Sequence, residues 1–205
     1  MIAQYIKYYS LFKMECFVCD KNFIKDNVLS GYPVIDFDIA CKEYPNTEYS
    51  YINTIGYSKM NDNRKNIAER ITQAGYEIEN LIFPNSNVYT EDIGHGNIIL
   101  DGVNIGFNST VGDGNIFWSG SNLSHEINIG NFNYFSPNCA IAGNVNVGNN
   151  CFFGINSTVI NGINVKDYTL VGAGSTIKND TKEKSVYSNT ATILCDKKST
   201  EVVID

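Results

Sequence analysis

Large apolar residues recur with a period of six in the second half of the chain. From Ile93 to Ile177 every sixth residue is large and apolar, and fifteen positions keep this register without an insertion. Four places after most of them stands a small residue, at Ser109, Ser121, Cys139, Val145, Cys151, Ser157, Thr169 and Ser175. A fixed short period is typical of a solenoid in which each repeat gives one strand and one corner. Three repeats close a triangular coil, so we expect a left-handed parallel β-helix of about five coils spaced by ~4.8 Å.

Glycine follows the apolar position in many of these repeats. It stands at Gly94, Gly106, Gly112, Gly130, Gly148, Gly154 and Gly172. We expect these glycines to supply the unusual φ angles that sharp corners require. An ordinary β-sandwich would instead alternate apolar and polar residues with period two and space its turns irregularly.

The first 80 or so residues have a different pattern, in which helices alternate with strands. The predicted helices are 3–12, 36–44 and one that Asn61 or Asp62 caps and Gly75 ends, and the predicted strands are 14–19, 51–55 and 77–82. This alternation predicts a small parallel sheet. We therefore expect a small α/β domain over 1–83, the β-helix over 84–180 and a tail over 181–205.

Composition narrows the function classes. The chain has 205 residues and a formal charge of −7, and no cluster of Lys or Arg stands out. Nucleic acids and anionic membranes are therefore not expected partners. No apolar run approaches the roughly eighteen residues that a membrane span needs, and no signal peptide is evident.

The six cysteines include one Cys-x-x-Cys motif, Cys16 to Cys19. Such a motif can indicate zinc or redox chemistry, but no second pair and no nearby histidine complete a zinc site here. Cys139 and Cys151 occupy the small, inward-facing repeat position. We interpret the cysteines as reduced packing residues and expect a cytoplasmic protein with no bound metal.

The repeat also places candidate chemistry, because residues 18 apart lie on consecutive coils. His125 should point outward, one coil of ~4.8 Å below Gly143. A general base beside an exposed backbone N–H is what acyl transfer requires. Glu126 could orient the imidazole ring. The alternative is an incidental surface histidine, and the second histidine, His95, is expected at another part of the coil in a structural or acceptor-facing role.

A loop between the predicted strand 51–55 and the helix after it is the expected acceptor site. Ligands favour the carboxyl ends of strands in α/β sheets, which points to Gly56, Tyr57 and Asn61. A plain turn followed by a helix cap explains the same residues.

Several of these segments resemble a known group of proteins. They are Ser124-His125-Glu126, Ile129-Gly130-Asn131-Phe132, Ile141-Ala142-Gly143-Asn144-Val145, Ile155-Asn156-Ser157 and Val171-Gly172-Ala173-Gly174-Ser175. The chain is similar there to bacterial hexapeptide-repeat sugar acyltransferases, of the sialic-acid O-acetyltransferase and amino-sugar N-acetyltransferase type. The resemblance is close over about 84–180 and looser before it. By this resemblance the N-terminal domain is expected to be a truncated, Rossmann-like one that begins inside the family's first helix, without a counterpart of the family's first strand and Gly-rich phosphate loop.

The resemblance implies a homotrimer that uses acetyl-CoA, with each active site between two β-helices. By this resemblance His125 removes the acceptor's proton, Glu126 assists it and the Gly143 N–H holds the thioester oxygen. The cofactor would run past Ile155 and Ala173, and Tyr134 replaces a second histidine near it. The implied function is acetyl transfer to an amine or hydroxyl of a nucleotide-linked sugar in surface-glycan synthesis.

Two other functions fit the same residues. One is a non-catalytic structural or regulatory solenoid, and the other is an acetyltransferase for a small non-sugar acceptor.

Overall fold

The computed structural model describes residues 1–189. It contains a left-handed parallel β-helix preceded by a small α/β region, as the period of six predicts. The helices are α1 (Ile2–Tyr9), α2 (Phe37–Glu43) and α3 (Asp62–Gln73), and the strands that precede the β-helix are β1 (Phe17–Cys19), β2 (Val28–Leu29) and β3 (Tyr32–Asp36). A short 3₁₀ turn covers Lys21–Phe23.

The β-helix has three flat faces of two-residue strands. Face 1 consists of β4 (Leu81–Ile82), β6 (Ile98–Ile99), β9 (Ile116–Phe117), β12 (Tyr134–Phe135), β15 (Phe152–Phe153), β18 (Leu170–Val171) and β20 (Val186–Tyr187). Face 2 consists of β5 (Asn87–Val88), β7 (Asn104–Ile105), β10 (Asn122–Leu123), β13 (Ala140–Ile141), β16 (Thr158–Val159) and β19 (Thr176–Ile177). Face 3 consists of β8 (Thr110–Val111), β11 (Asn128–Ile129), β14 (Asn146–Val147) and β17 (Asn164–Val165).

Strands of neighbouring coils pair in parallel with the predicted spacing of 18. In β10 and β13, for example, Leu123 is the partner of Ile141. The first coil is one residue shorter, because Leu81 pairs with Ile98. Stacked strands therefore run from residue 81 to residue 187, slightly beyond the predicted limits of 84 and 180. The division into three domains stays a prediction, and the tail from Thr190 lies outside the described residues.

The repeat positions fill the interior as expected. Fourteen of the fifteen apolar positions are at most 4% exposed, and Ile93 packs against them half-buried. Three of them, Phe117, Phe135 and Phe153, stack ring on ring with centroids 4.8 and 4.6 Å apart. Burying apolar side chains is worth about 25 cal/mol per Å², so this continuous column is the main stabilising element of the fold.

The glycines after the apolar position have a different purpose from the one predicted. None of them has a positive φ, and the left-handed residues stand two places later, at positions such as Asn108 and Asn156. A methyl group on Gly106 would instead meet the carbonyl oxygen of Ser124 on the next coil at 2.5 Å. Close approach of neighbouring backbones, and not φ, therefore requires glycine at this place.

The N-terminal sheet is mixed, which corrects the predicted parallel sheet. β1 pairs with β3 in parallel, but β2 and β3 form an antiparallel hairpin. The hairpin turns at Ser30 and Gly31, which both have positive φ, as a two-residue hairpin turn requires.

The predicted strand 51–55 is also corrected. Only Tyr51 forms a β-bridge there, with Ile78. The segment after it contacts helix α3 instead of a strand, because the buried Asn53 side-chain amide donates to the Arg64 carbonyl at 2.9 Å.

Within residues 1–189, no helix has the length and apolarity to cross a membrane, and no three acidic, histidine or cysteine side chains cluster to hold a metal ion. Cys16, Cys19, Cys41, Cys139 and Cys151 carry free thiols.

Arg64 on α3 attaches the N-terminal region to the β-helix. Its guanidinium is fully buried and donates to the carbonyl oxygens of Gly114 at 2.9 Å and of Asn133 at 3.1 Å, both in the β-helix. It also donates to Gly56 at 3.0 Å, before α3. Desolvation lowers the pKa of Arg64 to about 10, so it stays charged at neutral pH.

Candidate active site

The candidate chemistry lies at one of three corners where the chain turns between faces. The histidine corner joins faces 2 and 3 and comprises the turns 106–109, 124–127, 142–145 and 160–163. The ladder corner joins faces 3 and 1 and comprises 94–97, 112–115, 130–133, 148–151 and 166–169. The third corner joins faces 1 and 2 and comprises 100–103, 118–121, 136–139, 154–157 and 172–175.

His125 and Gly143 lie in contact at the histidine corner, as their spacing predicts. A methyl group on Gly143 would lie 2.9 Å from Cε1 and 3.0 Å from Nε2 of His125. The imidazole therefore leans against Gly143, which is buried, and only glycine leaves room for it. The two backbones are also joined, because the Asn144 N–H donates to the His125 carbonyl at 3.2 Å.

Glu126 reaches the imidazole although adjacent side chains on a strand point in opposite directions. Glu126 has a φ of 57°, which places it in the corner turn and on the same outer side as His125. Its Oε2 lies 3.1 Å from Nδ1 of His125. In the neutral imidazole tautomer that donates from Nδ1 to this carboxylate, Nε2, beside Gly143, keeps its lone pair.

The backbone N–H of Gly143 is a further donor at this site. Within the described residues 1–189, it makes no hydrogen bond to any backbone or side-chain acceptor. A base with a free lone pair therefore stands beside an unpaired amide donor. This is the arrangement that assists attack on a carbonyl group, since the donor can stabilise the oxygen as it becomes negative.

The predicted cofactor residues Ile155 and Ala173 lie together at the third corner. They are exposed on consecutive coils, and the Gly174 N–H donates to the Ile155 carbonyl at 2.8 Å. Face 2 separates them from His125 within one chain.

Tyr134, also predicted near the cofactor, lies on face 1. It is only 8% exposed and stacks on Phe152, with centroids 5.5 Å apart, while Tyr57 covers it at 5.0 Å. In this chain it therefore belongs to the contact between the N-terminal region and the β-helix. Burial raises the pKa of its phenol.

The predicted acceptor loop is docked on the β-helix. Asn61 is fully buried, and its amide donates to the Cys151 carbonyl at 3.1 Å, so it does not cap α3 with its side chain. Gly56 accepts from Arg64, and Tyr57 is 56% exposed above Tyr134. The role of these three residues in acceptor binding stays a prediction. Tyr57 is the one with a large side chain exposed to solvent.

A cavity of 380 Å³ opens elsewhere in the N-terminal region. It lies between α1 and the segment 44–54, and its wall includes Phe12, Tyr44, Tyr49 and Tyr51. A cavity of this size is within the range of small-molecule sites. The three loop residues do not line it.

His95 lies away from the candidate site. It stands at the ladder corner, where its N–H donates to Oδ1 of Asp113 at 2.7 Å. This location is on another part of the coil, as its sequence separation from His125 indicates.

Two features of the structure were not predicted. Arg64 is an ordinary helix residue in sequence, and no pattern distinguishes it from a surface arginine. The rings of Tyr89 and Phe107 stack on the outside of the β-helix, with centroids 4.7 Å apart. The spacing of 18 predicts that Phe107 lies one coil below His125, but the contact of Phe107 with Tyr89 was not predicted.

This chain is similar to known proteins in its structure, whereas comparisons of its sequence find no match. No family model matches the sequence, and no curated protein matches it. The acetyltransferase domain of PglB from Neisseria gonorrhoeae superposes with a TM-score of 0.79 at 20% identity, over 90% of this chain and 88% of that one. PerB from Caulobacter crescentus, solved with CoA and GDP-perosamine, has a TM-score of 0.72 at 27% identity, over 80% and 79%.

A third structure, WeeI from Acinetobacter baumannii, has a TM-score of 0.63 at 17% identity and covers 94% of this chain and 84% of that one. The similarity therefore extends through the N-terminal region as well as the β-helix. The chain has the fold of the hexapeptide-repeat sugar acyltransferases, which confirms the resemblance seen in its sequence.

Proposed function

We propose that the protein transfers an acetyl group from acetyl-CoA to an amino group of a nucleotide-linked sugar. The observation that carries this proposal is the contact of His125 with Gly143, where a free imidazole nitrogen stands beside an unpaired amide donor. The fold adds support, since PglB and PerB share it and were solved with acetyl-CoA, or with CoA and GDP-perosamine. No metal ion is needed in this reaction.

In the proposed reaction, the acceptor nitrogen attacks the thioester carbonyl carbon and a C–N bond forms. Nε2 of His125 takes a proton from that nitrogen, while the Gly143 N–H stabilises the oxyanion. The C–S bond then breaks, and the departing CoA sulfur receives the proton from the imidazolium. Glu126 holds the ring with Nε2 free and stabilises its positive charge. A sugar hydroxyl would react by the same steps.

We further propose a homotrimer with active sites between subunits. Ile155 and Ala173 lie at the third corner, away from His125 in the same chain. A neighbouring subunit that presents its third corner to the histidine corner would bring the two groups together. Tyr134 is covered within the chain, so its contribution to cofactor binding would require Tyr57 to move.

We place the protein in the cytoplasm and its product in surface-glycan synthesis. The free thiols of the described cysteines are compatible with a reducing compartment.

The test is a two-stage assay of the wild-type protein. Acetyl-CoA should raise the melting temperature, since a ligand that binds only the folded state stabilises it by mass action. Release of free CoA thiol should then depend on an acceptor, drawn from GDP-perosamine and other nucleotide-linked amino sugars. Binding without transfer to any acceptor would contradict the enzyme and favour a non-catalytic solenoid. Transfer only to small amines, with no preference for sugars, would contradict the proposed acceptor class.

A further inference from the structure

Two aromatic rings are stacked on the outside of the β-helix next to the candidate site. Phe107 is 63% exposed and Tyr89 is 48% exposed, and their ring planes differ by only 25°. Neither residue belongs to an apolar cluster of the described part of the chain. Together the two rings form a small apolar surface that solvent reaches.

The aromatic pair continues the column that contains the reactive groups. Phe107 stands one coil below His125, and its carbonyl accepts from the Glu126 N–H at 2.9 Å. Gly143 stands one coil above His125. At the ladder corner the same repeat place holds polar residues, Asp113, Asn131 and Asn149. The aromatic side chain is therefore particular to the corner that carries His125.

We propose that the Phe107 ring, which Tyr89 supports from one side, is the surface on which the sugar ring of the acceptor lies during acetyl transfer. This inference rests on the proposed function and adds where the acceptor binds. Because the thioester oxygen is assigned to the Gly143 N–H, acetyl-CoA lies on the side of the imidazole that faces Gly143. The acceptor nitrogen must reach Nε2 from outside, and the remainder of the acceptor then extends toward Phe107.

The geometry and chemistry of the pair fit a six-membered sugar ring. One coil spacing of about 4.8 Å is close to the width of such a ring, so the reacting nitrogen can lie at His125 while the ring covers Phe107. Aromatic faces carry partial negative charge and attract the positive edges of C–H bonds. A pyranose with several axial hydrogens on one face offers those edges and keeps its hydroxyl groups in water.

The experiment compares acceptor kinetics of Phe107→Ala with those of the wild-type protein, using acetyl-CoA and the best nucleotide-linked amino sugar of the panel. Losing one aromatic contact should raise the acceptor KM by about tenfold. The KM for acetyl-CoA should not change, and kcat should fall little. Phe107→Tyr keeps the ring and should retain wild-type kinetics. Phe23→Ala, which removes a ring that is 73% exposed in the N-terminal region, is the matched control and should change nothing.

The outcomes separate this inference from the proposed function. If the wild-type protein transfers acetyl groups and Phe107→Ala leaves the acceptor KM unchanged, the inference is wrong and the function stands. If the wild-type protein transfers to no acceptor, both fall. If Phe107→Ala lowers the mass of the assembly in light scattering, the ring packs against a second copy of the chain, which overturns the inference.

Discussion

The histidine corner and the ladder corner use the same backbone turn in opposite ways. At the ladder corner the backbone N–H of the second residue in each turn is paired with the side chain one coil above. His95 donates to Asp113, Asp113 to Asn131 and Asn131 to Asn149, each to Oδ1 at 2.7 to 2.8 Å. At the histidine corner the corresponding N–H groups of Phe107, His125 and Gly143 make no hydrogen bond within residues 1–189.

The difference between the two corners follows from one side chain per coil. An Asn or Asp at this place supplies an oxygen to the coil below, and the resulting chain of hydrogen bonds closes the corner. His125 and Gly143 supply no such oxygen, so the N–H groups of Phe107 and His125 on the coil below stay unpaired. Asn161 follows Gly143 in this column, but within residues 1–189 its side-chain oxygen accepts no hydrogen bond from the Gly143 N–H. The β-helix therefore stabilises one corner and leaves reactive groups at another without any change in its backbone.

The largest expected effect on turnover is that of His125→Ala, with His95→Ala as its control. His125→Ala removes the base at the histidine corner and should lower kcat by ~10²–10⁴, because general-base assistance typically contributes that much. Binding of acetyl-CoA, followed by thermal shift, should persist. His95→Ala is the matched control, since its side chain occupies the same repeat place at the ladder corner, and it should retain wild-type turnover.

Equal activity of the two alanine variants would remove the functional distinction between the corners. Equal loss in both would indicate a general effect on the β-helix, which circular dichroism and melting temperature would detect.

Gly143→Ala is expected to have the next largest effect. The added methyl group would come within 3.0 Å of the imidazole and push it away from the amide. Misplacing a catalytic group by about 1 Å can cost up to about 10² in rate, so kcat should fall by that order while acetyl-CoA binding remains. The melting temperature should change little, because the displaced ring is a largely exposed side chain.

A double variant sharpens this second test. In the His125→Ala background, Gly143→Ala should cause much less further loss, since there is no ring left to displace. Full additivity of the two losses would show that the added methyl group acts independently of the imidazole, by obstructing the space beside the Gly143 N–H, which alanine keeps.

The sequence predicted the β-helix and the contact of His125 with Gly143 well because both depend on a strict period. Residues 18 apart are neighbours whenever no insertion breaks the register, so His125 and Gly143 could be paired without coordinates. The contact of Glu126 with the ring was less secure, because alternation along a strand would direct the two side chains apart. The left-handed φ of Glu126 resolves this, and glutamate is not a residue from which such a conformation is predicted.

The N-terminal region was harder to predict because its structure depends on contacts between distant residues. The segment after Tyr51 forms no strand, since its polar groups are satisfied by α3 and Arg64. Asn61 looks like a helix cap in sequence, yet its side chain bonds to Cys151, 90 residues away. Such interactions have no period and no local motif, so only the folded structure reveals them.

Asn149→Ala tests the ladder corner and should have the smallest effect on turnover. It removes the oxygen that accepts from the Asn131 N–H at 2.8 Å and the amide that donates to Asp167 at 3.3 Å. Losing these partly buried bonds should lower the free energy of unfolding by about 1–3 kcal/mol, measured by urea denaturation, with kcat unchanged. Asn161→Ala, at the same place of the histidine corner, should change stability by less than about 0.5 kcal/mol, because an exposed residue outside any ladder contributes little. If Asn161→Ala destabilised the protein as much as Asn149→Ala, the paired amides would not be what stabilises the ladder corner.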